Sequence, residues 1–246
     1  MSKVPAARLD RLLANLGYGS RREVQHIVLT GGAVLDGKRL RDAGERIPLT
    51  ADLSPRLLIR GVPLDPPAPL TVMLHKPVGV VCSHKEPGRS VYELLPARWR
   101  ARVPALSTVG RLDADTSGLL LITDDGPLLH RIISPKNHVA KRYLVTLARP
   151  LEGGEAAAFA SGELMLESET TPLLPAMMEP LSETTAYLTI TEGRYHQVRR
   201  MFAAAGNHVL ALHRDRIGGL ELPEDLAAGG YRIASAETLA AVFATG

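Results

Sequence analysis

Cysteine is almost absent from this chain: Cys82 stands alone among 246 residues. A single thiol can neither close an internal disulfide nor build a thiolate zinc cage, which fits a reducing compartment. Aromatic residues make up only 4%, which disfavours a broad stacking platform for single strands. No apolar run approaches the roughly 18 residues of a membrane span. The opening MSKVPAARLD has no apolar core of the kind a secretory leader carries. These absences predict a cytoplasmic chain with no membrane partner. No long amphipathic stripe suited to a dimer seam is visible either, which favours a monomer.

Net charge is low as well, at +3, but its distribution is uneven. Residues 1–60 hold 11 Lys or Arg against 6 Asp or Glu, and the remainder holds 18 against 20. A small basic module points to a polyanion such as nucleic acid; on charge alone a chance surface imbalance explains it equally well. The length suits two domains, and the 45% hydrophobic content is ordinary for a folded protein.

The first module reads as helix, helix, hairpin. RLDRLLANLG places Leu9, Leu12, Leu13 and Leu16 at helical spacing, with Gly17 as a stop. Ser20 and Glu23 have capping-box spacing ahead of a helix that buries Val24, Ile27 and Val28 and ends by Gly31. Asp36-Gly37 then marks a hairpin turn. Arg21, Arg22, Lys38, Arg39 and Arg41 would line one exposed edge. GVPLDPPAPL, residues 61–70, carries four prolines and predicts a semi-rigid linker.

From residue 71 the pattern mixes strands and helices. TVMLHKPVGVVCS reads as strand, turn, strand; YLVTLARP and TTAYLTIT alternate as strands. YHQVRRMFAAAGN reads as a helix with Val198, Met201, Phe202 and Ala205 on one stripe and Gly206 as its C-cap. The fold class expected is α+β, with a mainly antiparallel sheet flanked by helices.

The stretch VGRLDADTSGLLLITDDG, Val109–Gly126, carries the chemistry. Asp113, Asp115, Ser117, Gly118 and Asp124 fall at calcium-loop positions, but no helix is expected on either side and LLLIT reads as a buried strand. The preferred reading is strand, turn, strand with Asp113 at the mouth of the turn and Arg111 on the same side. A partly buried carboxylate there needs a cation or hydrogen bonds. The residues alone leave open whether Asp113 or Asp115 merely caps the turn. His196, His208 and His213 lie among arginines without the carboxylate partner of a metal site, so no metal is expected.

That stretch is similar to the motif around the catalytic aspartate of the pseudouridine synthases. LHKPVGVVCS, SPKNHVAKRYLV and EGRYHQVRRMFAAAGNHVLALHRDRIGG match the family's other blocks, in its order. The first module resembles the S4 RNA-binding domain. The likeness covers nearly the whole chain and is strongest to the branch acting on uridine 516 of 16S ribosomal RNA; the branches acting on 23S RNA share most blocks.

The resemblance implies an S4-like domain at 1–60, a linker at 61–70 and a synthase domain at 71–246. It implies Asp113 as the essential aspartate, Tyr143 as the active-site tyrosine and Arg199 as the basic residue paired with Asp113. RNA contacts are expected from Arg8, Arg11, Arg21, Arg22, Lys38, Arg39 and Arg41, and from Arg111 and Arg194. No cofactor is implied, because the isomerisation oxidises nothing and imports no group. The partner expected is ribosomal RNA in an assembling small subunit. The rival from another class is a non-catalytic RNA-binding assembly factor. A carboxylate hydrolase would need a second acid at a suitable distance from Asp113.

Overall fold

The computed structural model describes residues 4–83 and 86–244. Met1–Lys3, part of the stretch read above for a leader, lie outside the described residues. The chain divides into two compact units. One comprises Met1–Thr71, Leu95–Ser107 and Thr123–Asp125; the other comprises Val72–Leu94, Thr108–Ile122 and Gly126–Gly246.

In the first unit, β1 (Ala6–Arg8) leads into α1 (Leu9–Asn15) and α2 (Arg21–Leu29). Leu9, Leu12, Leu13 and Leu16 of the first helical segment are buried against Val24, Ile27 and Val28 of the second. The expected capping box is present: the Ser20 hydroxyl accepts from the Glu23 N–H, and Glu23 accepts from the Ser20 N–H. Two short sheets follow, built from β2 (Ala33–Leu35), β3 (Lys38–Arg39), β4 (Arg46–Pro48), β5 (Leu57–Ile59) and β6 (Val62–Pro63), with α3 (Leu53–Arg56) between β4 and β5. β4 pairs β1, and the other sheet has the order β3-β2-β5-β6. Asp36 and Gly37, with φ of 50° and 78°, turn the β2–β3 hairpin as their types predict.

Residues 61–70 behave differently from a linker. Val62–Pro63 add an edge strand to β5, where a proline's missing donor is tolerated. Leu64 is buried in the same core, and Leu70 is buried too. Asp65 is held by both forks of Arg98, whose guanidinium also covers the Tyr18 ring at 4.2 Å. The prolines bar helix and central strand, but they do not bar an edge strand stitched down by its leucines.

The second unit is organised by a nine-stranded sheet. Its members are β7 (Thr71–Lys76), β10 (Ser107–Thr108), β11 (Thr116–Thr123), β12 (Lys141–Leu147), β13 (Met177–Pro180), β14 (Thr185–Ile190), β15 (Val209–Ile217), β16 (Leu220–Glu221) and β17 (Tyr231–Ile233). A small ribbon, β8 (Val80–Val81) with β9 (Arg89–Ser90), stands apart. The main order is β13-β14-β12-β15-β11-β7-β17, with β10 on β11 and β16 on β15. The pairings are mainly antiparallel, but β11 and β15 run parallel. The α-helices α4 (Gly126–Ile133), α5 (Glu155–Ala160), α6 (Gln197–Ala204) and α7 (Ala236–Ala241) accompany the sheet.

β11 is central and covered on both faces, so Leu119, Leu120, Leu121 and Ile122 are all fully buried; this is why LLLI does not alternate. β14 alternates because only one face is closed: Ala186, Leu188 and Ile190 are buried, while Tyr187 and Thr189 are half-buried. The helix expected from YHQVRRMFAAAGN starts later, at Gln197, because His196 takes a left-handed conformation ahead of it. Val198, Met201 and Phe202 are buried as expected, and Phe202 meets Phe159 of α5 edge to face at 5.1 Å.

Candidate active site

Lys76 ends β7 and is completely buried. Its ammonium donates to the backbone carbonyls of Asp113 at 3.0 Å, Thr116 at 2.8 Å and Pro77 at 3.0 Å, with that of Ala114 at 3.5 Å. The Asp113–Thr116 turn closes through the Thr116 N–H on the Asp113 carbonyl, and the Gly79 N–H donates to Ala114 at 2.7 Å. A buried cation with no carboxylate in contact among the described residues, caged by carbonyls, spends its charge on fixing one backbone path. Burial lowers the Lys76 pKa, opposed by Cys82 and then by the nearby charges of Asp113 and Asp115. Sequence reasoning passed over this residue; a lysine ending an apolar strand just before proline was the available signal.

The backbone of Asp113 is thus clamped, while its carboxylate keeps 34% of its exposure. The side chain beside that carboxylate is neither of the arginines expected. Arg199 forms its ion pair with Asp115, at 2.8 Å, and donates to the carbonyls of Asp115 and Val209. Arg111 is turned away to Glu86. The side chain that meets Asp113 is His196, with Nε2 3.4 Å from Oδ1. The reason is backbone geometry. Residues 109–115 form no strand but bends and a turn, so the strand rule that puts i and i+2 on one face does not hold here. Arg199 lies within α6, where it reaches the far end of the Asp113–Asp115 turn.

Three strands bring a second group together. Arg214 of β15 is opposite Gly118 of β11 and Tyr143 of β12. A Cβ on Gly118 would lie 2.1 Å from the Arg214 carbonyl, and its φ of +116° is one that L side chains rarely adopt, so only glycine permits this approach. The Arg214 guanidinium is 3% exposed; it donates to the Leu119 carbonyl and reaches the Tyr143 hydroxyl at 3.4 Å. Among the described residues no carboxylate ion-pairs with it, and its Nη2 has no hydrogen-bond partner. A β-bulge between Arg142 and Tyr143 skips Asp215, which turns to hold Arg142. Lys141, two residues before Tyr143, has its pKa lowered to about 8, mainly by burial and then by Arg214. A buried guanidinium with no carboxylate partner among the described residues, next to a buried phenol, suits a reaction that builds and discharges negative charge.

The expected RNA-contact residues divide into two groups. Arg11, Arg21, Arg22, Lys38, Arg39 and Arg41 are exposed on the first unit, as expected from the sequence. Arg8 is exposed but clasps Asp10 with two bonds. Arg194 is a structural clamp instead: it pairs with Glu169 and Glu192 and donates to the carbonyls of Thr171 and Pro172. His213, expected only as a basic or structural histidine, bonds Ser117 at 2.8 Å, and burial lowers its pKa.

Comparisons with known proteins agree with one another. The sequence profile of the family described as RNA pseudouridylate synthase matches residues 71–204. The chain is 43% identical over 240 residues to ribosomal small subunit pseudouridine synthase A of Escherichia coli (strain K12), covering 96% of this chain and 99% of that protein. The same-named protein of Pasteurella multocida (strain Pm70) is 41% identical over 235 residues, covering 95% and 98%. A solved structure described as a pseudouridylate synthase superimposes with a TM-score of 0.67 at 36% identity, over 96% of this chain and 99% of that one.

Proposed function

The chain belongs to the RNA pseudouridylate synthase family and is an isomerase, and from that premise we propose that it converts one uridine of small-subunit ribosomal RNA, uridine 516 of the 16S molecule, to pseudouridine. The N1–C1′ bond breaks, the base turns, and C5 bonds to C1′; C5 loses its proton and N1 gains one. A stacked uridine must first be flipped into the site.

Asp113 is the essential group. It acts at the ribose, by attack on C1′ or by removing the 2′ proton, and both routes need an aimed, ionised carboxylate. Lys76 fixes its backbone, Arg199 holds the end of its turn through Asp115, and His196 borders the carboxylate. Tyr143 packs against the base and takes the C5 proton late in the reaction, with the Arg214 cation at its hydroxyl. Residues 1–60 grip RNA through phosphate contacts and shape, using Arg11, Arg21, Arg22, Lys38 and Arg41. The protein works as a cytoplasmic monomer on an assembling small subunit.

The observation that carries this reading is a carboxylate left one-third exposed on a backbone that a fully buried lysine immobilises. Carbodiimide labelling with primer extension tests it. Unmodified 16S and 23S transcripts, and partly assembled particles, are incubated with the protein and with Asp113→Asn. The expected result is a new stop at position 516 of 16S RNA with the wild type alone. Turnover by Asp113→Asn refutes the role of Asp113; a stop in 23S RNA moves the target.

A further inference from the structure

The Tyr195 ring is 76% exposed in a chain poor in aromatic residues. It stacks on His196, with centroids 3.9 Å apart and planes 15° from parallel. His196 in turn has Nε2 3.4 Å from the Asp113 carboxylate. An aromatic face therefore stands in solvent one ring away from the reacting group, and the reaction described above leaves it unused.

The loop that presents this ring is clamped. The Arg194 N–H donates to the Gln197 side chain, and the Arg194 guanidinium is pinned by two glutamates. Arg200 donates to the Tyr195 carbonyl. His196 itself holds φ 48° and ψ 32°, a left-handed conformation that is uncommon for a residue other than glycine. Hydrogen bonds and ion pairs thus hold in place a ring whose outer face buries nothing, and folding gains little from such a face.

We propose that the outer face of Tyr195 is the stacking surface for the nucleobase adjacent to the target uridine in the substrate RNA; this rests on the pseudouridine synthase reading. Flipping one nucleotide removes a stacking neighbour from the bases beside it, and a fixed aromatic ring replaces that neighbour. Every base has a π-face, so the contact adds affinity without demanding one sequence. His196 occupies the inner face, so the ring takes one base only.

The test uses the full chain and a 16S-derived transcript. Tyr195→Ala should raise KM about 5- to 150-fold, with the loss falling on KM more than on kcat, and Tyr195→Phe should recover it. As an independent readout, 2-aminopurine is placed on either side of the target. Its fluorescence should fall on binding Asp113→Asn, and that fall should vanish when Tyr195→Ala is added. Melting of Tyr195→Ala within about 2 °C of wild type excludes an unfolding artefact. Equal KM and equal quenching in an active wild type and Tyr195→Ala overturn the inference alone. A KM effect confined to assembled particles overturns it in favour of a ribosomal-protein contact. A wild type that makes no pseudouridine on any ribosomal substrate overturns the functional reading and this inference together.

Discussion

Replacing Lys76 with Met keeps most of the side-chain volume and removes the ammonium. The carbonyls of Pro77, Asp113 and Thr116 then lose a donor at 2.8–3.0 Å inside a site where Lys76 is fully buried. An orphaned buried acceptor costs about 1–3 kcal/mol. The Asp113 carbonyl keeps the Thr116 N–H, so two orphans set the gross loss, and relief from burying a charge offsets part of it. That such relief exists follows from the lowered Lys76 pKa, whose main cause is burial. A net loss of about 2–4 kcal/mol is expected, which for a chain of this size lowers Tm by about 5–15 °C. Turnover measured well below Tm should fall further than stability does, because the Asp113 backbone loses its clamp. Lys76→Gln, which restores one donor, should fall between. Calorimetry at pH 7, paired with tritium release from C5-labelled RNA, reads both quantities. A Lys76→Met protein with wild-type Tm and wild-type turnover would refute the reasoning.

Other sites make comparable demands. Gly118→Ala forces a Cβ onto the Arg214 backbone at 2.1 Å and a strained φ, so soluble expression or Tm should drop sharply while Gly37→Ala, with nothing within 4 Å, costs far less. Arg102 and Asp124 form an ion pair with both side chains 1% exposed; Arg102→Met leaves a buried carboxylate unpaired and should cost about 3–5 kcal/mol in urea unfolding. Lys141 has a folded pKa of about 8 against an ordinary 10.5. Between those values the unfolded chain binds the extra proton, so this residue makes stability rise with pH across that window, and the gain is lost as pH falls to 8. Its slope is at most about 1.4 kcal/mol per pH unit, and the difference between wild type and Lys141→Met over pH 7.5–10.5 isolates it; parallel curves would contradict the assignment.

Legibility followed the range of the interactions. Capping boxes, hairpin turns and apolar stripes are local, so Ser20, Asp36-Gly37 and the Leu9–Leu16 stripe were readable residue by residue. The blocks around Asp113 and Tyr143 were readable through their likeness to a family. Partner choice was not. Arg199 was expected on Asp113 and lies on Asp115, and Arg194 was expected on RNA and clamps a loop. A guanidinium reaches several carboxylates within a few ångströms of one another, and only the path of the backbone between them decides which it meets.

Composition and pattern by themselves determined the α+β class, the basic first module and the buried central strand. Each of these follows from the side chains of near neighbours. The tertiary structure decided that Lys76 holds the Asp113 turn, that His196 rather than Arg199 borders its carboxylate, and that Arg214 reaches the Tyr143 hydroxyl. Those residues are 37 to 83 positions apart in the chain. They meet because strand order and one parallel pairing bring them together, and no local rule encodes that order.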